Sequence, residues 1–194
     1  MKKLIALLLV LVMVLSMAAC KGNKNDNPSD DSKPQEAERV EIKDTVEILT
    51  KTWEIFPTDL KFACGGGSGE AMVMDAPGAV PVTDTDTLTY MLNVPETLQA
   101  QIVDAASLMH MMNANTFTAG AYKITGEVNA FVNTLKEGIL STQWMCGFPE
   151  LLVIATIDDY VIAFYGNTQL VNTFATYLTT AYRYCTVMVE ENML

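Results

Sequence analysis

The feature that most constrains the fold is a pair of apolar runs in the C-terminal half of the chain. Residues 151–157 read LLVIATI and residues 160–166 read YVIAFYG, with Asp158 and Asp159 between them. Two residues between β-branched and aromatic runs are typical of a tight β-hairpin. Because almost every position of both runs is apolar, we expect both faces of the hairpin to be covered by other elements.

Three other stretches carry apolar residues at steps of three and four, the spacing of an amphipathic helix. The first covers residues 40–56 and the second covers residues 127–141. The third begins where Asn167 or Thr168 provides a cap, and its apolar stripe continues to Met188. These stretches predict three helices that can cover the hairpin.

The middle of the chain predicts two strands with a helix between them. Residues 88–94 and 116–124 are rich in β-branched and aromatic residues, which favours strands. Pro95 opens the helix, since proline suits a first helical turn. The apolar stripe of this predicted helix consists of Leu98, Ile102, Ala105 or Ala106, Met109 and Met112.

This order of elements predicts the α+β class. We expect a small antiparallel or mixed sheet with a β-hairpin in the C-terminal half, packed against amphipathic helices. A single domain is predicted over residues 40–194.

The N-terminus has the composition of an export signal. Residues 1–20 read MKKLIALLLVLVMVLSMAAC, in which the uninterrupted apolar run of 12 residues is shorter than the roughly 20 that span a bilayer. The last four residues, Met17-Ala18-Ala19-Cys20, resemble a bacterial lipobox, with methionine where leucine is usual. The resemblance implies a bacterial lipoprotein: residues 1–19 are removed and Cys20 carries diacylglycerol and acyl chains such as palmitate. The alternative is an ordinary signal peptide that leaves Cys20 as a plain thiol.

The segment that follows predicts a tether. Residues 20–39 comprise Cys20 and a stretch of Asn, Asp, Ser, Lys, Pro and Gly without a large apolar side chain. Such a segment does not bury enough surface to fold, so we expect it to be disordered. The domain would then lie close to the outer side of the bacterial cell membrane, at the cell surface, held by the lipid on Cys20.

The domain itself is similar to an uncharacterised lipoprotein family. The similarity lies in Ala121-Tyr122-Lys123-Ile124, in the helical pattern of residues 128–140 and in residues 151–174. That family combines a signal, a lipobox, an acidic linker and a small α+β domain. The resemblance implies no known activity.

Charge narrows the classes of partner. The chain has 23 acidic and 12 basic residues, a formal net charge of −11, and one histidine. Binding to nucleic acid needs Lys and Arg against phosphate, so nucleic acid is excluded as a partner. The acidic character fits a soluble domain, and it leaves open a basic or cationic partner outside the cell.

Residues 57–87 form the first candidate binding region. They are rich in Gly, Pro, Thr and Asp, and residues 64–69 read CGGGSG. The phosphate-binding P-loop requires Gly-Lys-Ser/Thr at its end, whereas Gly69 is followed by Glu70, so we expect a flexible loop. A loop of this length in a small domain is often functional.

Residues 109–112, Met-His-Met-Met, form the second candidate region. Thioethers and imidazole are soft ligands that suit Cu(I). In a helix Met109 and Met112 share a face without His110, and in a strand His110 faces away from Met109 and Met111. Neither conformation brings three ligands together, so we expect the methionines to fill the core and we predict no bound metal or cofactor.

The sequence contains no complete motif for a disulfide framework, a calcium site or a catalytic nucleophile. Cys64, Cys146 and Cys185 allow one disulfide in three pairings, or three buried thiols, and the sequence does not choose between these arrangements. Asp84 and Asp86 lack the remaining positions of a calcium-binding EF-hand loop. No serine lies in a nucleophile motif, and His110 is the single candidate base.

These observations favour a membrane-anchored extracytoplasmic lipoprotein that acts as a binding or interaction module rather than an enzyme. The first alternative is a receptor for a small ligand or metal that uses residues 57–87 or residues 109–112. The second alternative is an enzyme of the cell wall without a recognisable motif.

Overall fold

The structure, a computed structural model, describes residues 39–194. The predicted signal peptide, the lipobox cysteine Cys20 and nearly all of the predicted tether lie outside these residues. The described α-helices are α1 (Thr45–Glu54), α2 (Glu96–Gln99), α3 (Val128–Leu140) and α4 (Thr168–Ala181). The strands are β1 (Cys64–Gly66), β2 (Val73–Met74), β3 (Gly78–Ala79), β4 (Ile102–His110), β5 (Phe117–Ile124), β6 (Leu151–Ile157), β7 (Tyr160–Gly166) and β8 (Thr186–Asn192).

All eight strands belong to one antiparallel sheet. Its order is β2-β1-β4-β5-β7-β6-β8, and β3 also pairs with β4 beside β1. The β6–β7 hairpin lies within this sheet, with Ile157 opposite Tyr160 across the Asp158-Asp159 turn. The α+β class and the hairpin are therefore confirmed.

The sheet separates two hydrophobic cores, as the apolar hairpin requires. On one face, α1 and α4 pack over residues such as Ile162 and Phe164 of β7. On the other face, α3 and α2 pack over Val161 and Tyr165 of the same strand. Burial of β-branched and aromatic side chains on both faces is the main source of stability here.

Helix ends follow local capping chemistry. The Asp44 side chain accepts a hydrogen bond from the Glu47 backbone amide at 2.8 Å and caps α1. Asn167, rather than Thr168, caps α4, because its side chain accepts a hydrogen bond from the Gln169 amide at 3.0 Å.

The prediction for the middle of the chain is wrong in two places. Residues 88–94 do not form a strand, because Thr87–Met91 is a π-helical turn. The helix after Pro95 ends at Gln99, and residues 102–110 form the central strand β4. The helical stripe that ends at Met112 arose because β4 is apolar on both faces, so an apolar residue occurs at almost any spacing.

The predicted last helix is also too long. It ends at Ala181, while Cys185 and Met188 lie beyond it and Met188 belongs to the edge strand β8. The β-branched residues of Thr186–Asn192 pair with β6 and complete the sheet. Among residues 39–194, no helix combines the length and the apolar character that crossing a bilayer requires.

Candidate binding cleft

The two candidate regions of the sequence meet in one cleft. Residues 65–67 of the glycine-rich region and residues 109–112 line the same depression, whose volume is about 270 Å³. Met72 and Met91 complete its wall. We call this depression the methionine cleft and define it by Gly65, Gly66, Gly67, Met72, Met91, Met109, Met111 and Met112; His110, Asn113 and Ala114 complete its lining.

The glycine-rich floor of the cleft is part of the sheet and not a flexible loop. Cys64–Gly66 is strand β1, which pairs with β2 on one side and with β4 on the other. A Cβ atom on Gly66 would overlap the Gly78 amide nitrogen and the Ser107 carbonyl oxygen. The Gly67 amide donates a hydrogen bond to Ser107 Oγ at 2.9 Å. Glycine is therefore required here for close approach of backbones, a reason that the loop prediction missed.

Gly65 has a different neighbour. A Cβ atom at this position would lie 2.7 Å from the Sδ atom of Met111. Its other near neighbour is the Val73 carbonyl oxygen at an ordinary 3.4 Å. The missing side chain of Gly65 thus leaves room for a thioether above the floor of the cleft.

The register of β4 places methionines on the cleft side. Met109 is the Cα partner of Gly65, and His110 is the partner of Cys64 on the opposite face. The Met111 amide donates to the Ala63 carbonyl at 2.9 Å, which continues the pairing one residue beyond the strand. Alternation along an extended chain therefore sends Met109 and Met111 into the cleft together.

His110 takes no part in the methionine wall. Its ring stacks on Phe62 with a centroid distance of 4.9 Å, on the other face of the sheet. Its Nδ1 atom accepts hydrogen bonds from the amides of Met112 at 3.2 Å and Asn113 at 3.3 Å. In the neutral ring this arrangement requires the proton on Nε2, so neither nitrogen has a free lone pair for a metal.

The π-helical turn supplies Met91 and is held by a small polar network. The Leu92 amide donates to the Thr87 carbonyl at 3.1 Å. Asn93 then adopts φ +55° and its side-chain amide donates to the Tyr165 hydroxyl at 2.7 Å. Asn93 Oδ1 accepts from Thr142 Oγ1 at 3.1 Å, which ties the turn to the end of α3. π-Helical turns are rare in proteins as a whole, and many of those that do occur lie at functional sites.

Burial governs the ionisation of Tyr165 beside this network. Loss of solvent raises the pKa of Tyr165 to about 12, although the hydrogen bond from Asn93 works in the opposite direction. The phenol is therefore neutral at physiological pH, and its hydrogen bonds help to hold the backbone that carries Met91. Its own hydroxyl lies 3.4 Å from the Met91 carbonyl oxygen.

The prediction that methionine fills the core is wrong for most of the methionines. Nine methionines lie within residues 39–194; none of them is fully buried, and only Met109 and Met193 pack half-buried against the second core. The exposed fraction is 52% for Met72, 45% for Met91 and 85% for Met112. Leucine, isoleucine, valine and phenylalanine fill the two cores instead. Sequence reasoning missed Met91, which lies in the wrongly predicted strand of residues 88–94, and did not single out Met72 within residues 57–87.

A second depression of about 290 Å³ adjoins the methionine cleft and shares Met91 and Ala114 with it. Tyr90, Trp144 and Met145 line it, and Tyr90 and Met145 are 75% and 88% exposed. The second depression also has polar lining residues, Asn93, Asn115, Thr142 and Gln143, so it is less apolar than the methionine cleft. No charged side chain lines either depression among the described residues.

The other predicted chemical groups have structural roles or stand apart. Cys64, Cys146 and Cys185 are free thiols: the first is buried, the second exposed and the third half-buried. Burial raises the pKa of Cys64 to about 11 and that of Cys185 to about 12, so both stay protonated at neutral pH. Asp84 accepts from the Thr87 amide at 3.1 Å and fixes the start of the π-helical turn. Within residues 39–194 no three His, Cys, Asp or Glu side chains lie close enough to share a metal ion.

Comparisons of the chain with protein-family models, with curated proteins and with solved structures gave no match. The similarity to an uncharacterised lipoprotein family stays a prediction from the residues that carry it. The methionine cleft is consequently judged on its own chemistry.

Proposed function

We propose that the chain is a membrane-anchored extracytoplasmic binding protein that holds its ligand in the methionine cleft. The observation that carries this proposal is the placement of five methionines, from three separate segments, around one uncharged cleft. The lipobox-like residues before Cys20 supply the anchor in this proposal. The glycine-rich region and residues 109–112 act as one site rather than as two alternatives.

The choice of methionine supports binding over simple surface coverage. Methionine is unbranched and polarizable, so a surface made of it adapts to a ligand. Exposed apolar area costs solubility, and contiguous apolar patches on soluble domains mark sites of interaction. Leucine would serve as well if the side chains only covered the end of the sheet.

Binding is also better supported than catalysis. The Nδ1 atom of His110 already accepts two backbone hydrogen bonds, so the ring is engaged in structure. The thiols of Cys64, which is buried, and Cys185, which is half-buried, hold their protons at neutral pH because loss of solvent raises their pKa values. A nucleophile needs the thiolate form and a neighbouring base.

One experiment tests the anchor. Cys20→Ser should move the protein from the membrane fraction to the soluble fraction, because the acyl chains can no longer be attached. Cys146→Ser removes an exposed thiol from the domain and should leave the protein in the membrane fraction. A Cys20→Ser protein that stays in the membrane fraction would contradict the anchor.

A second experiment tests the cleft. The thermal unfolding of the full chain is followed with Ag(I), Zn(II), Ca(II), muropeptides and an apolar peptide, each in excess. A ligand at 100 times its dissociation constant stabilises the folded state by about 2.7 kcal/mol. Met91→Arg places a long cation in the cleft at a 45% exposed position and should abolish the shift. Met188→Arg makes the same change at a 42% exposed position on β8 and should retain it.

The outcomes separate cleanly. A shift in the wild type and in Met188→Arg that disappears in Met91→Arg supports binding in the cleft. A shift of equal size in all three proteins places the ligand elsewhere and contradicts the proposal. No shift with any compound contradicts a small-molecule receptor and favours a protein partner.

A further inference from the structure

We propose that the ligand of the methionine cleft is a soft monovalent cation, Cu(I) or Ag(I), bound by thioether sulphurs. This inference rests on the proposed function of the cleft and names its ligand. The first support is convergence: Met72 before β2, Met91 in the π-helical turn, Met109 near the end of β4 and Met111 just beyond it all line one cleft of about 270 Å³. Methionine side chains have three rotatable bonds, so several sulphurs within this volume can turn toward one ion.

The second support is the room made for one sulphur. Gly66 is explained by backbone contacts, since a Cβ atom there would overlap Gly78 and Ser107. Gly65 has no such backbone conflict, and what a Cβ atom would displace is the Sδ atom of Met111 at 2.7 Å. The absence of a side chain at Gly65 leaves room for the Met111 sulphur on the floor of the cleft, and Met109, two residues earlier on the same extended segment, is the Cα partner of Gly65 across the β1–β4 pair.

The third support is the chemistry of the donor set. The side chains that line the cleft include no carboxylate and no thiol, and the Oδ1 atom of Asn113 already accepts a hydrogen bond from the Asn115 amide, so hard cations such as Ca²⁺ and Mg²⁺ find no anionic ligand there. Thioethers are soft ligands that select Cu(I) over zinc and the hard cations when no imidazole or carboxylate joins them. The one histidine at the rim directs its ring to the opposite face of the sheet, where it stacks on Phe62.

The fourth support is charge. The cleft itself is neutral and holds no Lys or Arg that would repel a cation. The chain around it carries a formal net charge of −11. A net negative protein raises the local concentration of cations, and a neutral pocket then selects among them by softness rather than by charge.

The test uses Ag(I), which has the same softness as Cu(I) and does not change oxidation state in air. The full chain carries Cys20→Ser, which removes the predicted lipid-attachment thiol, together with Cys146→Ser and Cys185→Ser, which remove the exposed and the half-buried thiols of residues 39–194 that would compete for the ion. Silver nitrate is added in chloride-free buffer, and native mass spectrometry counts the ions on each chain. We expect one Ag(I) per chain, and Cu(I) under ascorbate should bind with the same stoichiometry, whereas Zn(II) should not bind.

Two sets of variants locate the ion. Met72→Leu, Met109→Leu and Met111→Leu together keep the apolar area of the cleft and remove three sulphurs, so the affinity for Ag(I) should fall by at least tenfold. Met188→Leu and Met193→Leu make the same chemical change on or beside β8 and should leave the affinity unchanged. Gly65→Ala should weaken binding by a smaller factor, because it displaces the Met111 sulphur while every thioether remains.

Nuclear magnetic resonance of the methionine ε-methyl groups reports on the ion directly, because a change in protein stability alone does not shift these signals. Addition of Ag(I) should shift the signals of Met72, Met109 and Met111, and leave those of Met188 and Met193 in place. Retention of Ag(I) by the triple leucine variant, or no binding by the parent chain, would overturn the inference. If the parent chain binds no Ag(I) while another compound gives a thermal shift that Met91→Arg abolishes, the cation is wrong and the cleft function stands.

Discussion

The β6–β7 hairpin and the β1–β4 side of the sheet share the same antiparallel pairing but differ in what covers them. Every residue of the two hairpin strands is buried except Thr156, which is half-buried. On the β1–β4 side, glycines form the floor and partly exposed methionines form the wall. Rigid β-branched and aromatic side chains thus occur where both faces are closed, and adaptable side chains occur where one face is open. The hairpin is the scaffold, and the open side is available for binding.

The largest effect is expected in the closed region. Phe174 of α4 is fully buried, and its ring lies 5.0 Å from that of Phe164 and 5.2 Å from that of Phe117. Phe174→Ala should lower the free energy of unfolding by about 3–5 kcal/mol, because it removes an aromatic side chain and leaves a cavity. Urea unfolding followed by circular dichroism measures the change.

The matched change on the open side should be almost silent. Met112 is 85% exposed, so Met112→Ala should alter the free energy of unfolding by less than about 0.5 kcal/mol. A loss at Met112 comparable with that at Phe174 would show that the methionine wall carries the fold, and would end the distinction between scaffold and binding side.

Two neighbouring glycines sharpen the comparison within β1. Gly66→Ala should destabilise the protein by about 1–3 kcal/mol, because the new Cβ atom overlaps backbone atoms of Gly78 and Ser107, which cannot turn aside. Gly65→Ala should cost clearly less, since the Met111 side chain can rotate away. Urea unfolding of the two variants in parallel measures the difference. Equal losses would show that Gly65 is also fixed by the backbone.

The same contrast explains how far the sequence predicts the fold. The sequence predicts the hairpin, α3 and β5 nearly to their ends. A strand buried on both faces leaves a continuous apolar run, and a helix buried along one stripe leaves apolar residues at steps of three and four. Strand β4 was predicted as a helix, because apolar residues on both of its faces occur at helical as well as strand spacing. The decisive information for β4 is its pairing with β1, β3 and β5, which no local pattern contains.

The site was predicted in part for a similar reason. Residues 57–87 and residues 109–112 were both identified as candidate regions from composition. Their meeting depends on the partnership of Gly65 with Met109 across the β1–β4 pair, a contact between segments more than 40 residues apart. The prediction that the methionines fill the core holds in part for Met109 and Met193 and is wrong for the others, because apolarity does not distinguish an exposed wall from an interior. Met91 required the π-helical turn, which has no sequence signature comparable with a cap or a hairpin.

The next prediction concerns the carboxylate of Asp104, which links strand β4 to the start of helix α1. Asp104 on β4 accepts hydrogen bonds from the Thr45 amide at 2.7 Å and from Thr45 Oγ1 at 2.9 Å, at the start of α1. Asp104→Ala leaves these donors without a partner at a buried residue and should cost about 1–2 kcal/mol in urea unfolding.

The control for this prediction is an acidic residue at the hairpin turn. Asp159 meets Lys123 Nζ at 3.9 Å on the surface, and Asp159→Ala should change the free energy of unfolding by less than about 0.5 kcal/mol. If Asp104→Ala is equally mild, α1 is held by its apolar contacts with the sheet, and the open side contributes nothing to the docking of that helix.

The last effect appears only at alkaline pH and concerns Cys64, whose thiol lies on the closed face of β1, one residue from the cleft floor. Burial, with a further contribution from the Asp75 carboxylate, raises the pKa of this thiol from 9.0 to about 11. The folded state therefore keeps the proton to higher pH than the unfolded chain. The resulting stabilisation is complete below about pH 9 and is lost as the pH rises from 9 to 11.

Urea unfolding of the wild type and Cys64→Ala, under reductant at pH 8, 9, 10 and 11, should show a difference in the free energy of unfolding that shrinks across this window. Val80→Ala, a buried change without a titrating group, should differ from the wild type by the same amount at each pH. If the difference in the free energy of unfolding between the wild type and Cys64→Ala stayed constant to pH 11, water would reach the thiol. Both faces of the sheet at β1 would then be open to solvent.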